Sequence, residues 1–175
     1  MKQNKLNVNG NDITHYYIGD YWPYYKKRDA FSKQVVDFKS GNYVIIDNFA
    51  KLIADSNKAV TFDIIVPIPS SSKGKIGDGS KILTSKLADA FQITNGVEAL
   101  KRVESVPASH KCTFENRPTE EDHYNTITCN EMVNNKRILL FDDVYTLGRT
   151  SSACSRKIFE MGALNIILLT LAITV

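Results

Sequence analysis

Two unbroken apolar segments, separated by one helical segment, restrict the fold of this chain more than any other feature. The first is KRILLFDD at 136–143, and the second is ALNIILLTLAIT at 163–174. Between them, residues 151–161 have apolar side chains at helical spacing, and Gly162 is typical of a helix end. Strands with one solvated face alternate polar and apolar residues, whereas strands covered on both faces are continuously apolar. The pattern therefore predicts an α/β fold, with a twisted, mainly parallel sheet and helices on both faces.

Shorter periodic segments precede this unit. Apolar residues at helical spacing predict helices over 29–41, 46–56 and 81–91, and a proline-punctuated run predicts a buried strand over 62–66. The segment SSSKGKIGDGS at 70–80 contains three glycines and four serines, so it predicts a loop.

The two ends of the predicted domain differ in pattern from its middle. Residues 1–15 are polar and rich in Asn, which predicts a loosely attached N-terminal tail. Residues 16–175 are then one domain of ordinary size. Within it, residues 101–135 show little periodicity, which predicts a flexible functional loop, a hairpin, or both.

Composition excludes several classes of protein. A net charge of +3 over 175 residues is too small to indicate a nucleic-acid surface, although it suits a phosphorylated small molecule. The three cysteines form no CxxC pair, so reduced thiols and no zinc site are expected, with Cys154 as a small core residue. The longest apolar run, IILLTLAITV, is too short to span a membrane, and the N-terminus has no apolar leader. We therefore expect a cytoplasmic protein without a membrane partner.

The end of the first apolar segment has the composition of a ligand site. Asp142 and Asp143 reduce stability there unless a ligand needs acceptors or negative charge. The residues from Thr146 to Ser151 lead into a helix N-terminus, where backbone N–H groups favour a phosphate. In a parallel sheet, ligands bind outside the C-terminal strand ends. One ligand suits both halves: a sugar phosphate, with its hydroxyls on the aspartates and its phosphate in the loop.

Two other interpretations use the same residues. In one, the Asp pair is only a solvated turn at a strand end. In the other, RILLFDD is a Walker B strand that holds Mg²⁺, but this needs a GxxxxGK[ST] loop, which the sequence lacks.

A family resemblance is specific at this point. ILLFDDVYTLGRTS resembles the phosphoribosyl-pyrophosphate (PRPP) loop of type I phosphoribosyltransferases, and DDVYT is particularly similar to ComF proteins and amidophosphoribosyltransferases. DIIVPIPSS and YIGDYWPYYKKRDAFSKQVVDFKSGN also resemble ComF segments, and LKRVESVPASH, Arg117 and Asn125 follow its basic middle region loosely. The four-cysteine zinc module with which ComF proteins often begin is missing from this sequence.

The resemblance implies an enzyme that transfers ribose 5-phosphate from Mg-PRPP to an unidentified nitrogenous acceptor and releases pyrophosphate. Mg²⁺ would be carried mainly by PRPP, without a metal site of the chain's own. The alternative is a PRPP- or nucleotide-binding module without turnover, either regulatory or associated with DNA uptake or defence.

The resemblance also assigns roles to residues. The catalytic residues would be Asp142, Asp143 and Arg102. Ribose hydroxyls would bind the two aspartates, and the 5′-phosphate would bind the PRPP loop, which comprises Thr146, Leu147, Gly148, Arg149, Thr150 and Ser151. Pyrophosphate would bind the loop that contains Ser70, Ser71, Lys73 and Lys75. The segment 101–117 would be a flexible lid that brings basic side chains over the diphosphate, namely Lys101, Arg102, Lys111 and Arg117.

Aromatic residues and histidines leave further alternatives. The cluster from Tyr16 to Tyr25, which includes Trp22, is expected either to stack on the acceptor base or to cover a sheet edge or homodimer contact. His110 and His123 could act as an acid or a base, but no carboxylate stands at a spacing that would support this role, so solvated loop histidines are expected.

Overall fold

The computed structural model describes residues 1–23, 29–56, 61–108 and 112–175. The strands are β1 (Lys2–Val8), β2 (Asn11–Tyr21), β3 (Ile64–Pro67), β4 (Thr94–Asn95), β5 (Leu100–Arg102), β6 (Ile127–Cys129), β7 (Arg137–Tyr145) and β8 (Asn165–Thr174). The helices are α1 (Ala30–Lys39), α2 (Tyr43–Ser56), α3 (Asp78–Phe91), α4 (Glu120–Asn125) and α5 (Arg149–Glu160).

Six strands form the main sheet in the order β1-β2-β8-β7-β3-β4. Every neighbouring pair is parallel except β1 with β2, which is antiparallel. On β7, Leu139 and Phe141 pack into the cluster formed with α1, α2 and α3, while Ile138 and Leu140 pack into the cluster formed with α5. Both faces of the strand are therefore buried, which explains its unbroken apolar sequence. The predicted α/β architecture with a mainly parallel sheet and helices on both faces is confirmed.

The N-terminal residues form a hairpin that belongs to this sheet. The strands β1 and β2 are joined by Asn9 and Gly10, both with positive φ (50° and 82°), as a two-residue hairpin turn requires. The prediction of a loose polar tail over residues 1–15 is wrong, because β1 pairs with β2, and β2 pairs with β8 from Thr14 to Tyr21. Val8, Ile13 and His15 are the buried side chains of this hairpin.

Part of the sparsely patterned segment 101–135 is regular. The strands β5 and β6 form an antiparallel pair, and α4 begins with a capping box between Thr119 and Asp122. The helix α3 begins at Asp78, earlier than the predicted start at 81, and its first turn packs on α1. Cys154 is fully buried, as predicted. Among the described residues, no helix combines the length and apolar character that crossing a membrane requires.

A buried histidine ties β2 to β8 and makes stability depend on pH. The Nε2 atom of His15 lies 2.9 Å from Thr170 Oγ1, and that hydroxyl can donate to the Ala172 carbonyl oxygen. The imidazole then donates through Nε2–H, and its buried Nδ1 has no partner among the described residues. Burial lowers the pKa of His15 from 6.5 to about 4 because the charged imidazolium would lose its hydration.

Acidification is therefore expected to destabilise the wild-type protein more than a His15→Gln variant, which keeps a side-chain N–H donor and does not titrate. The folded state binds fewer protons than the unfolded state, so the contribution is present above the ordinary pKa of 6.5 and is lost as pH falls towards 4. We expect the difference in free energy of unfolding between the two proteins to change by about 3 kcal/mol from about pH 7 to about pH 4. Urea denaturation at both pH values measures this change, and parallel pH profiles for the two proteins would contradict it.

Candidate functional site

A cleft of about 770 Å³ opens where β3 and β7 separate. Their pairing ends at Pro67 and Phe141, after which β7 continues beside β8 alone as far as Tyr145. The residues of β7 that follow Phe141 therefore have no neighbour on the β3 side, and they face the cleft together with the loop before α5. This is the C-terminal edge of the parallel strands, where the sequence predicted a ligand.

The two predicted aspartates line this cleft beside a lysine from α1. The Asp143 backbone N–H donates to Asp142 Oδ1 at 2.9 Å, and Lys39 Nζ lies 3.2 Å from Asp143 Oδ1. Burial raises the pKa of Asp142, and the neighbouring Asp143 raises it further. Burial opposes the charge of Lys39, but Asp143 and Asp142 outweigh it and raise the lysine pKa. In the predicted seat for ribose hydroxyls, Asp143 is thus ion-paired with Lys39, while Asp142 holds its proton to higher pH than an ordinary carboxyl.

Lys39 was not assigned to the site from the sequence. It lies on a different element from the aspartates, and no spacing rule connects α1 with β7. The side chain reaches the cleft because Phe38, the preceding residue, is fully buried against Phe141, with ring centroids 6.2 Å apart.

Replacing this lysine is expected to raise the pKa of Asp142. In a Lys39→Met variant the two carboxylates lose a cation that favours their charged forms, so the pair should hold its proton to higher pH than in the wild type. Carboxyl-carbon NMR titration measures the shift. Lys33→Met, on the exposed face of the same helix, is the matched control and should leave the titration unchanged. An identical titration in the two variants would contradict the assigned contact.

The PRPP loop predicted from the sequence forms the turn between β7 and α5. Gly148 adopts a left-handed conformation, with φ of 71°, as the N-cap of α5. A Cβ atom there would lie 2.3 Å from the hydroxyl oxygen of Tyr145, so the close turn requires glycine. The turn directs the first N–H groups of a twelve-residue helix towards the cleft.

The side chains of the PRPP loop differ in their hydrogen-bond partners. Ser151 donates its hydroxyl to the Gly148 carbonyl oxygen, and Thr146 pairs with the Thr174 hydroxyl at 2.8 Å. Arg149 donates to the carbonyl oxygens of Arg117 and Pro118 at 3.1 and 3.0 Å, so its guanidinium joins the loop to the segment before α4. The Leu147 side chain is exposed, which leaves only its backbone for binding. The Thr150 hydroxyl has one partner among the described residues, Nε2 of His123 at 3.2 Å.

In the predicted pyrophosphate loop, the serines lie at the cleft and the lysines do not. Ser70 and Ser71 line the cleft, whereas Lys73 and Lys75 are exposed and are not among the lining residues. The loop closes on itself, since the Ser70 N–H donates to the Lys75 carbonyl oxygen at 2.9 Å.

Arg102 is buried at the cleft, with 1% of its surface exposed. It donates from Nε to the Ser70 carbonyl oxygen at 3.0 Å and from one terminal nitrogen to Thr126 Oγ1 at 2.6 Å. In the described part of the chain it has no carboxylate partner, and burial lowers its pKa. A buried guanidinium without a counter-charge favours an anion in the adjoining cleft.

The other basic residues of the predicted lid are in different environments. Lys101 is exposed and pairs with Glu98 at 2.9 Å. Arg117 lines the cleft, and Lys111 lies outside the described residues. Arg102 itself belongs to a paired strand, so it is anchored in the fold and differs from the mobile side chain expected from the sequence.

His123 was predicted to be a solvated loop residue, and that prediction is wrong. It is 3% exposed on α4 and lies between Arg102 and the PRPP loop. Its Nδ1 is 3.1 Å from a terminal nitrogen of Arg102, and its Nε2 is 3.2 Å from Thr150 Oγ1. Burial lowers the pKa of His123 to about 4, and Arg102 adds to the effect. The short helix EEDHYN has no apolar periodicity that would have indicated a buried histidine.

The aromatic cluster is divided by the structure. Tyr21 lines the cleft, with Lys39 Nζ 6.0 Å from its ring centroid. Tyr16 packs against the core on the α1–α3 side of the sheet. Tyr24 and Tyr25, like His110, lie outside the described residues.

Comparisons with known proteins give weak matches. No protein-family profile matches the chain, and no curated protein matches it. The solved structures similar to it include the allosteric regulatory enzyme of purine biosynthesis and the glutamine PRPP amidotransferase of B. subtilis complexed with ADP and GMP. Each has a TM-score of 0.49 and 19% sequence identity, and each match covers 71% of this chain and 25% of the other. The chain spans about a quarter of the length of these enzymes, and its α/β fold rests on the strands and helices described above.

Proposed function

We propose that this chain is a phosphoribosyltransferase of the type I fold that binds Mg-PRPP and transfers ribose 5-phosphate to a nitrogenous acceptor. One observation carries the proposal: a single cleft brings together a carboxylate pair, a helix N-terminus and a buried guanidinium that has no carboxylate partner in the described ranges. The first suits hydroxyl groups, and the other two suit anions. PRPP carries hydroxyls between two phosphate-bearing ends, so it meets all three requirements in one molecule.

The cleft has room for this ligand. Its volume of about 770 Å³ lies within the range of small-molecule sites. Asp142 and Asp143 would accept hydrogen bonds from the ribose hydroxyls, and the turn before α5 would hold the 5′-phosphate. The loop of Ser70 and Ser71, with Arg102 behind it, would hold the diphosphate. The motif likeness at 62–70 and 137–152 makes a ComF-like subfamily our finer proposal.

The residues present fit an Mg²⁺ ion that arrives with the substrate. Within the described ranges, no group of three or more His, Cys, Asp or Glu side chains could hold a metal ion. Mg²⁺ commonly takes one or two carboxylates and completes its shell with water and substrate phosphates. Bound to the diphosphate, it would neutralise charge on the leaving group.

The chain's own residues would then act by position and charge. The bond between ribose C1 and the diphosphate oxygen breaks, the electron pair leaves with pyrophosphate, and the acceptor nitrogen forms the new bond to C1 and releases its proton. Arg102 stabilises the negative charge that develops on the leaving group, and it is already buried and oriented before the reaction. The aspartates and the PRPP loop hold the ribose so that C1 is presented to the acceptor.

A PRPP-binding module without turnover is the second candidate. Lys39 already pairs with Asp143, and the lysines of the predicted pyrophosphate loop are outside the cleft lining. Both features would suit a protein that binds the ligand and regulates a partner. The acceptor, a cytoplasmic location and a homodimer remain predictions.

Release of labelled pyrophosphate from PRPP, with Mg²⁺ and a panel of nucleobases and amines, separates the two candidates. We expect release that depends on one class of acceptor and is lost in an Arg102→Met variant. Saturable PRPP binding without release under any acceptor would favour the module without turnover. Absence of PRPP binding by calorimetry would exclude both.

A further inference from the structure

We infer that His123 is a positioning residue that orients the Thr150 hydroxyl, so that this hydroxyl donates its proton to an anion held before α5. His123 also joins Thr150 to Arg102, and through Arg102 to the carbonyl oxygen of Ser70. The identity of the anion as the 5′-phosphate of PRPP rests on the proposed function. The hydrogen-bond arrangement itself does not.

The tautomer of His123 follows from its neighbour. A guanidinium only donates hydrogen bonds, so the Nδ1 atom at 3.1 Å from Arg102 must be the acceptor. The neutral imidazole then has its hydrogen on Nε2, which points at Thr150 Oγ1 at 3.2 Å. Because burial and Arg102 lower the pKa of His123 to about 4, the neutral ring is the form present at neutral pH.

This tautomer decides what Thr150 can do. Its hydroxyl oxygen accepts a bond from His123, so its own hydrogen must point elsewhere. Thr150 has no second partner among the described residues, and it lines the cleft in the first turn of α5. An anion in that turn would receive the hydroxyl hydrogen as well as the backbone N–H groups.

Other loop hydroxyls lack this arrangement. The Ser151 hydroxyl donates within the turn, to Gly148, and the Thr146 hydroxyl shares its bond with Thr174. Thr150 is therefore the loop hydroxyl whose oxygen is fixed as the acceptor by its neighbour, His123, which leaves its hydrogen available to a ligand.

The packing of α4 keeps His123 in place. Ser152 donates to Glu120 at 2.8 Å, and Arg156 donates to Glu121 at 2.9 Å, so α4 is attached to α5 through side chains other than His123. Arg102 also bonds to Thr126 at the end of α4. The imidazole thus connects two loops through a fixed element, a condition that preorganised binding requires.

Two substitutions of His123 distinguish the roles of its two ring nitrogens. In His123→Gln the side-chain amide nitrogen takes the approximate position of Nε2, so the donor to Thr150 is retained. In His123→Asn the amide oxygen takes the approximate position of Nδ1, so the acceptor for Arg102 is retained and the donor to Thr150 is lost. If His123 had only a structural role, the loss of affinity in each variant would follow from how well the new side chain packs. It would not depend on which ring nitrogen the new side chain replaces.

The test measures the dissociation constants of Mg-PRPP and of inorganic phosphate, by calorimetry at neutral pH, together with the His123 tautomer by nitrogen-15 NMR. We expect His123→Gln to bind both probes within about threefold of the wild type and His123→Asn to bind about tenfold more weakly. Thr150→Val should show the same loss with His123 intact, and adding His123→Asn to it should cause no further loss. The NMR spectrum of the free wild-type protein should show the hydrogen on Nε2.

The outcomes are distinct. Hydrogen on Nδ1, equal affinities in the Gln and Asn variants, or additive losses in the double variant would overturn the inference. If the wild type binds inorganic phosphate but not PRPP, the proposed function fails, and the phosphate and NMR measurements still decide the role of His123. A wild type that binds neither probe would overturn both.

Discussion

Replacing both aspartates, by Asp142→Asn and Asp143→Asn, is expected to abolish the thermal stabilisation that Mg-PRPP gives to the wild-type protein. At a ligand concentration about 100 times Kd, binding stabilises a protein by about 2.7 kcal/mol, or about 5 to 10 °C for a domain of this size. The variant should lose this shift because a neutral amide oxygen is a much weaker acceptor than a carboxylate for the ribose hydroxyls and a weaker ligand for the substrate's metal ion.

The free variant should melt no lower than the wild type. The raised pKa of Asp142 means that the folded state disfavours its carboxylate, so stability falls as pH rises above the ordinary value of 3.8. Neutral side chains remove that cost, and Lys39, with 43% of its side chain exposed, can turn towards water. A variant that melts higher but no longer responds to the ligand would show that these residues serve binding and reduce the stability of the fold.

Differential scanning fluorimetry with and without Mg-PRPP measures both effects. Asp55→Asn, at an exposed position on α2, is the matched control and should keep the full ligand shift. An unchanged ligand shift in the double variant would refute the assignment of the site.

The second large effect is expected at Gly79, where α3 meets α1. A Cβ atom there would lie 2.1 Å from the carbonyl oxygen of Phe38. That oxygen belongs to the backbone of a fully buried residue, so it cannot turn aside as the end of a side chain could. We expect Gly79→Ala to lower the free energy of unfolding by about 3 kcal/mol or more, because the helices must separate to admit the methyl group.

Gly77→Ala provides a matched control two residues earlier. A Cβ atom at Gly77 would meet only Ser80 Oγ, at 3.7 Å, and the backbone φ of −60° suits any residue. We expect its free energy of unfolding to stay within about 1 kcal/mol of the wild type. Urea denaturation compares the two variants, and equal stabilities would show that α1 and α3 do not pack as closely as described. Since Lys39 follows Phe38, Gly79→Ala should also weaken the Lys39–Asp143 contact.

The sequence pattern was sufficient where one physical cause dominated. The segments that became β7, α5 and β8 were recognised because strands covered on both faces must be apolar throughout. The rule that ligands bind outside the C-terminal ends of parallel strands predicted one site for Asp142, Asp143 and Thr150, and all three line the same cleft. The sequence pattern did not show that the strand continues beyond the Asp pair. β7 extends to Tyr145 because it pairs there with β8, and this pairing joins residues far apart in the chain.

The sequence pattern could not predict polar contacts between segments that are far apart in the chain. The N-terminal hairpin is held mainly by backbone pairing, which leaves little trace in the hydrophobicity of residues 1–15. The Asn9–Gly10 turn was the signal that could have indicated it. His123 gave no comparable signal, because its burial depends on Arg102 and Thr150, which come from other parts of the chain.

By itself, the sequence determined the parallel sheet, the helices beside it and the carboxylate–loop pair at the end of β7. These follow from hydrophobic periodicity and from chemistry confined to neighbouring residues. Only the tertiary structure decided that Lys39 meets Asp143, that Arg102 is buried with no acid beside it among the described residues, and that His123 lies against Thr150. The reason is that hydrogen bonds and ion pairs depend on distances of a few ångströms between residues far apart in the chain, and periodicity contains no record of such distances.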